Sequence, residues 1–249
     1  MTEPIAQRLE WDSEFFGAAI GRVAGTTPRD IERAVDCARR DNLECLYLLV
    51  PGDNFESRDT AVSLGFQCVG TRVTYRCHDV NAGDGRPPNP TADPLDLRPA
   101  GAEDLAILED ISKGAFYDSR FFWDNNIPRE RAEELYATWV RKSVQGGYAD
   151  AAYVARVDGK IGGFVTLDVR NEIGHIALIA VHRDMRGAGI GSSLVRTAHT
   201  YYAERGVLRA EVVTHGSNVG AQRLYARHGY QLATSETWFH WWRPTRATD

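Results

Sequence analysis

Residues 176–192 read IALIAVHRDMRGAGIGS, an apolar run that enters a turn with three alternate glycines and then opens a helix. Such a turn leaves backbone N–H groups unpaired at the positive end of a helix dipole, which is a ready site for an anion. Gly187, Gly189 and Gly191 keep side chains away so that a pyrophosphate can approach, and Arg186 adds a positive charge. Farther on stand Asn218 and Tyr225, about two helical turns apart and so on one face together with Ala221. Asn218 can cap that helix or reach a ligand. Tyr225 supplies a phenol of pKa about 10, a proton donor at neutral pH. Other phosphate readings fail on detail. The glycine spacing is wrong for a dinucleotide fingerprint, the Lys-Ser/Thr of a P-loop is missing, and no His/Cys/Asp cluster has metal-ligand spacing.

These residues need a scaffold, and the pattern around them supplies one. Residues 79–96, DVNAGDGRPPNPTADPLD, hold four prolines and little to bury, and read as a linker. The expected organisation is an N-terminal lobe over 1–78, a linker over 79–94 and a catalytic domain over 95–249. In the last, a strand near 95–99 precedes helices over 102–116 and 129–143. Strands over 152–157 and 161–169 meet at Asp158-Gly159, a hairpin dipeptide. The run 176–181 predicts a strand covered on both faces. A helix over 191–204 points Leu194, Val195, Ala198, Tyr201 and Tyr202 inward. Then come a strand (208–214), a short helix (218–227) and two closing strands. Strands alternating with helices make the fold class α/β. Residues 48–67 also align without a gap on 212–231, matching Gly52 with Gly216, Asn54 with Asn218, Gly65 with Gly229 and Gln67 with Gln231. This predicts a degenerate half-copy of one strand–helix–strand unit.

Composition excludes other classes. A net charge of −5 lacks the basic field of a nucleic-acid binder and offers little to an anionic membrane. No apolar stretch approaches the roughly 20 residues of a membrane span. The four cysteines, Cys37, Cys45, Cys68 and Cys77, form no CxxC pair and are expected as reduced thiols of a cytoplasmic protein.

The arrangement R-x-x-G-x-G (Arg186, Gly189, Gly191) after an apolar strand, followed by N-x-x-A-x-x-x-Y (Asn218, Ala221, Tyr225), resembles the GNAT superfamily of acyl-CoA-dependent N-acyltransferases over about 150 residues. The resemblance implies a GNAT fold, with a mostly antiparallel sheet flanked by helices, and acetyl-CoA as cosubstrate. It implies that the amides of Gly187, Ala188, Gly189, Ile190, Gly191 and Ser192 hold the CoA pyrophosphate. The edge of Ile179, Ala180 and Val181 would pair with the pantetheine arm as an added strand. Tyr225 would protonate the leaving thiolate, and Asn218 would touch the cofactor. Arg183 departs from the family pattern, which often has proline there. In the N-terminal echo Ala61 stands where Tyr225 would be, and no R-x-x-G-x-G precedes it, so that lobe is expected to lack catalysis. An acceptor amine must lose a proton; His175, His215, Asp168 and Glu172 are candidates, and none is assigned.

Residues 9–17, 115–121 and 135–140 further resemble the TDP-fucosamine acetyltransferases, which acetylate the amine of dTDP-4-amino-4,6-dideoxygalactose. On that resemblance the small-molecule acceptor is a nucleotide sugar. Phe116, Phe121, Phe122 and Trp123 would form apolar platforms and Arg120 would pair with a diphosphate; packing of these aromatics in the core is the other reading. Direct transfer in a ternary complex is expected, since residues 95–249 contain no cysteine. Another small amine, a protein N-terminus, or acyl-CoA binding without catalysis are the alternatives, and the first lobe can cover the acceptor or make a homodimer contact.

Overall fold

The computed structural model describes residues 4–82 and 95–244; most of the expected linker, 83–94, lies outside them. In chain order the elements are β1 (Ala6–Arg8), α1 (Glu10–Phe16), β2 (Ile20–Val23), α2 (Pro28–Arg40), β3 (Cys45–Pro51), α3 (Phe55–Ser63), β4 (Gln67–Cys77) and β5 (Asp96–Pro99). A 3-10 turn (Ala102–Asp104) leads to α4 (Leu105–Lys113), α5 (Arg120–Trp123), α6 (Arg129–Val144), β6 (Ala151–Val157), β7 (Lys160–Arg170) and β8 (Ile173–Val181). A second 3-10 turn (Arg183–Met185) leads to α7 (Ile190–Ala203), β9 (Arg209–His215), α8 (Val219–Arg227) and β10 (Gln231–Trp242). The fold is mixed α/β with mostly antiparallel strand pairs. It divides into two compact units. Unit 1 comprises Met1–Arg72, Ser119–Arg131 and Thr234–Asp249, and unit 2 comprises Val73–Asp118 and Ala132–Ala233.

In unit 1 the strands run β1–β2–β3–β10, with β2 parallel to β3 and the others antiparallel. α2 begins with a reciprocal cap: the Thr27 hydroxyl accepts from the Asp30 amide, and the Asp30 carboxylate accepts from the Thr27 amide. Its buried face, Ile31, Ala34, Val35 and Ala38, packs with Leu46, Leu48 and Val50 of β3 and with Trp241.

In unit 2 the order is β4–β9–β8–β7–β6–β5. Asp158 and Gly159 both take positive φ (49° and 76°), as a two-residue hairpin requires. The five residues predicted to face inward from α7 are all buried, and Leu194 and Val195 each contribute about 1.5–3 kcal/mol. α7 lies so close to the sheet that a Cβ on Gly163 would meet Ile190 and Leu194 at 3.1 and 3.2 Å, and one on Gly174 would strike the Tyr202 ring at 2.6 Å. β8 is packed by two helices, as expected of a strand covered on both faces: Ile176, Ile179 and Val181 lie in or against the core that α7 builds, and α4 also packs on β8, while alternate residues of the strand stay half-exposed. One expectation needs correction. The chain closes with one twelve-residue strand, β10, instead of two, because the stretch Ala233–Ser235 continues as exposed strand and does not turn.

The internal echo holds at the level of elements. β3, α3 and the start of β4 recur 164 residues on as β9, α8 and the start of β10, with identical boundaries. Asn54 and Asn218 each cap a helix by accepting from the amide three residues on. Gly65 and Gly229 each take positive φ (89° and 81°) at the following turn. Even the clamp on the turn repeats: Arg58 donates to the Gly52 carbonyl and Gln222 to that of Gly216.

Candidate active site

The site begins where two parallel strands part. β8 and β9 pair only from Ile173–Arg209 to Ile176–Val212. From Ala177 onward β8 keeps β7 as its partner, and its edge toward β9 carries no ladder among the described residues. A bulge accounts for this. Leu178 pairs with Thr166 and Ile176 with Leu167, so Ala177 is the extra residue. The Leu178 amide donates to the Thr166 hydroxyl (3.0 Å). One extra residue bends a strand and increases its local twist. Ile179, Ala180 and Val181 therefore lie on an edge that can accept an extended chain as an added strand.

That edge leads into the glycine turn. Gly187 and Gly189 take φ of 86° and 80°, a conformation costly for other residues, while a Cβ at either would meet nothing. Gly189 is the N-cap of α7 and no side chain caps that helix, so its first amides, Ile190, Gly191 and Ser192, lack an intrahelical acceptor. Arg186, Gly187, Ala188 and Gly189 are exposed beside them. Gly191 differs from expectation. A Cβ there would sit 3.2 Å from Leu224 of α8 and 3.8 Å from Val181, so its bare backbone serves helix packing, and only its amide faces the anion question.

α8 follows the parted end of β9. The Asn218 side-chain Oδ1 accepts from the Ala221 amide (3.0 Å). Gln222 ties down the turn by donating to the carbonyls of Gly216 (2.8 Å) and His215 (3.3 Å), and accepts from the Tyr75 hydroxyl (3.2 Å). Tyr225 is buried, with the Tyr75 and Tyr230 rings 6.2 and 5.9 Å away. Burial first, and then the Asp118 carboxylate, push its phenol well above the ordinary range. Its hydroxyl makes no hydrogen bond among the described residues, so the proton stays on and remains available to a ligand.

Arg120, Phe121 and Trp123 belong to unit 1, whereas the glycine turn, Asn218 and Tyr225 belong to unit 2. Arg120 is 9 % exposed and its guanidinium lies over the rings of Tyr47, Phe121 and Trp238 at 4.1–4.3 Å. It donates to His240 Nε2 (2.6 Å), whose Nδ1 donates to Asp124 (2.6 Å); Trp242 donates to the same carboxylate (2.8 Å). Burial, and then the Arg120 charge, pull the His240 imidazole down to about 4. Burial pushes Asp124 up, but hydrogen bonds from His240 and Trp242 outweigh it and hold the carboxyl near 2. Phe121 is buried against Phe16 (5.6 Å) and Tyr47, while Trp123 is exposed. Sequence reasoning missed His240, Asp124, Thr166 and Gln222, because isolated residues far apart in the chain carry no spacing signal.

A model of the Acetyltransferase (GNAT) family matches residues 114–230. An uncharacterized N-acetyltransferase from Methanocaldococcus jannaschii is 35 % identical over 108 residues, 42 % of this chain and 68 % of that protein. The spore coat polysaccharide biosynthesis protein SpsD of Bacillus subtilis is 27 % identical over 151 residues, 59 % of this chain and 51 % of its own length. A tandem GNAT protein from the clavulanic acid biosynthesis pathway superposes with a TM-score of 0.61 at 17 % identity, over 92 % of this chain and 77 % of that one, a likeness of fold.

Proposed function

This chain belongs to the GNAT family and is an acetyltransferase, and from that premise we propose that it moves an acetyl group from acetyl-CoA to the amine of a nucleotide-linked 4-amino-dideoxysugar. The observation that carries the cosubstrate half is a continuous path. The free edge of Ala177–Val181 runs directly into the uncapped amides at the N-terminus of α7. In this reading the CoA pyrophosphate takes the amides of Gly187–Ser192 beside Arg186, and the pantetheine arm pairs with Ile179–Val181. Asn218 and Tyr225 line the other side of the parted strands.

Transfer is direct. The amine nitrogen attacks the thioester carbon, the C–N bond forms, the C–S bond breaks, and the sulfur takes up a proton. Tyr225 donates that hydrogen bond. With its pKa raised, complete transfer to a thiolate of ordinary pKa about 8.5 is uphill, so the phenol acts as charge builds on sulfur, when the hydrogen bond is charge-assisted.

The sugar acceptor is supported by the likeness to a polysaccharide biosynthesis protein and by the short motifs around residues 9–17, 115–121 and 135–140. Trp123, exposed, is the aromatic of its segment best able to stack on a ring, with Arg120 and Phe121 holding that segment from within. The catalytic domain of this reading spans 95–249 and the first 78 residues are its degenerate half-copy. Thiol release from acetyl-CoA with dTDP-4-amino-4,6-dideoxygalactose tests it. Turnover supports the sugar assignment. Turnover only with other small amines or peptide N-termini sends the acceptor elsewhere, and acetyl-CoA binding without turnover with any amine would reduce the chain to a binding module.

A further inference from the structure

A polar row crosses the sheet of unit 2 one step before β8 and β9 part. His175 of β8 is the register partner of Asp168 on β7 and of Glu211 on β9. Glu211 is in turn bound by Arg76 of β4 (2.6 Å), and Asp168 pairs with Arg170. Burying two carboxylates and an imidazole in one line across a sheet is costly, and a strand face meant only for packing would carry apolar residues there. Asp168 is 7 % exposed, and His175 and Glu211 are half-buried.

The row lies on a defined face. Gly174 and Ile176, the neighbours of His175, are buried toward α7, as the near contact of Gly174 with Tyr202 requires. His175 thus points to the opposite face, where α4 contributes buried Leu108, Ile111 and Ser112. The charged groups acting on the imidazole are Glu211 from β9 and Arg170 and Asp168 from β7. Burial outweighs the carboxylates and lowers the pKa of His175 below its usual value, which leaves the ring neutral near pH 7.

We propose that His175, flanked by Asp168 and Glu211, is the group that takes the proton from the acceptor amine. This role rests on the proposed pairing of the pantetheine arm with Ile179–Val181. An arm that starts at the glycine turn and runs back along those residues brings its thioester to the point where the strands part. His175 lies two residues, about 7 Å, beyond Ala177 on the same strand, a gap that the imidazole and one water span. As the amine nitrogen forms its bond to the carbonyl carbon, one proton passes from that nitrogen through the water to the ring. The C–S electrons leave with sulfur, which takes the Tyr225 hydrogen bond as its charge builds and then a proton from solvent, and the two carboxylates stabilise the imidazolium until solvent removes its proton.

The test compares the wild type with His175→Gln from pH 6 to 9.5, reading thiol release from acetyl-CoA with the amino sugar nucleotide and a panel of primary amines, alongside calorimetric acetyl-CoA affinity. The expected result is a kcat/KM about 100-fold lower at pH 7, recovering as pH rises toward the amine's own pKa, with acetyl-CoA affinity unchanged. Glu211→Gln should shift the pH profile of kcat/KM with a smaller loss. A variant within about threefold of wild type at every pH, with the same profile, overturns the proposal. If the wild type turns over no amine, the functional reading fails separately. The histidine ring resonances of the protein then decide this one: a His175 signal unmoved by saturating acetyl-CoA overturns it, and a neutral ring perturbed by acetyl-CoA upholds it.

Discussion

At the residue scale, Tyr225 and Gly189 carry opposite kinds of prediction. Tyr225→Phe keeps the ring that packs between Tyr75 and Tyr230 and removes only a hydroxyl that no described residue uses. Thiol release should fall by about 100-fold while the thermal midpoint and acetyl-CoA affinity stay close to wild type. Unchanged turnover would remove Tyr225 from the chemistry and leave it as a core aromatic. Gly189→Val acts on the backbone. A β-branched residue at φ of 80° is strained by about 1–2 kcal/mol, and relief of that strain would turn the amides of the loop away. Acetyl-CoA affinity measured by calorimetry should drop at least tenfold, and an unaltered affinity would mean that these amides do not hold the pyrophosphate. Both residues were legible in the sequence because R-x-x-G-x-G and N-x-x-A-x-x-x-Y are local spacings. The reason for Gly191 was not legible, since Leu224 approaches it from another helix.

At the element scale, the two copies of the strand–helix–strand unit diverge where a ligand would bind. In unit 2 the parted strands lead to an uncapped helix. In unit 1 the pairing of β2 with β3 is short too, three residues, but Pro28 offers no N–H at the start of α2 and the Thr27 and Asp30 amides are taken by their reciprocal cap. Asn54, the counterpart of Asn218, donates to the Thr26 carbonyl (3.2 Å). A carboxylate at that position would also repel a pyrophosphate. Titration calorimetry should therefore find one acetyl-CoA per chain; two equivalents would refute the sealing of the first copy. The bulge gives a second expectation. Thr166→Val removes the acceptor of the Leu178 amide and should raise the KM for acetyl-CoA several-fold, with a stability loss of about 1 kcal/mol.

At the scale of the whole molecule, acid is the expected weakness. The His240 imidazole, at about 4 when folded against an ordinary 6.5, stays neutral where the unfolded chain takes up a proton. Stability therefore falls as pH drops from about 6.5 to 4. Asp124, held near 2, contributes stability that is complete above about pH 4 and is lost below it. Both slopes have the same sign. Urea midpoints should decrease from pH 7 to 4.5, and a midpoint that does not move would mean that His240 is charged in the folded state. Acetyl-CoA should raise stability by about 2.7 kcal/mol at one hundred times its dissociation constant, read as a thermal shift that CoA binding variants lack. Among the described residues no helix is long and apolar enough to cross a membrane.

The sequence by itself determined the α/β class, the boundaries of α7, β9 and α8 to within a residue or two, the glycine turn and the internal repeat. Each of these rests on contacts between near neighbours in the chain: helical periodicity, caps and turns. Tertiary structure decided what no local pattern encodes. It set where β8 leaves β9, because the bulge exists only relative to the register of β7. It brought Asp168, His175 and Glu211 into one row from three strands. It also turned Arg120 inward onto His240, 120 residues away, so that a side chain read as a ligand for phosphate is held by partners that the sequence keeps far apart.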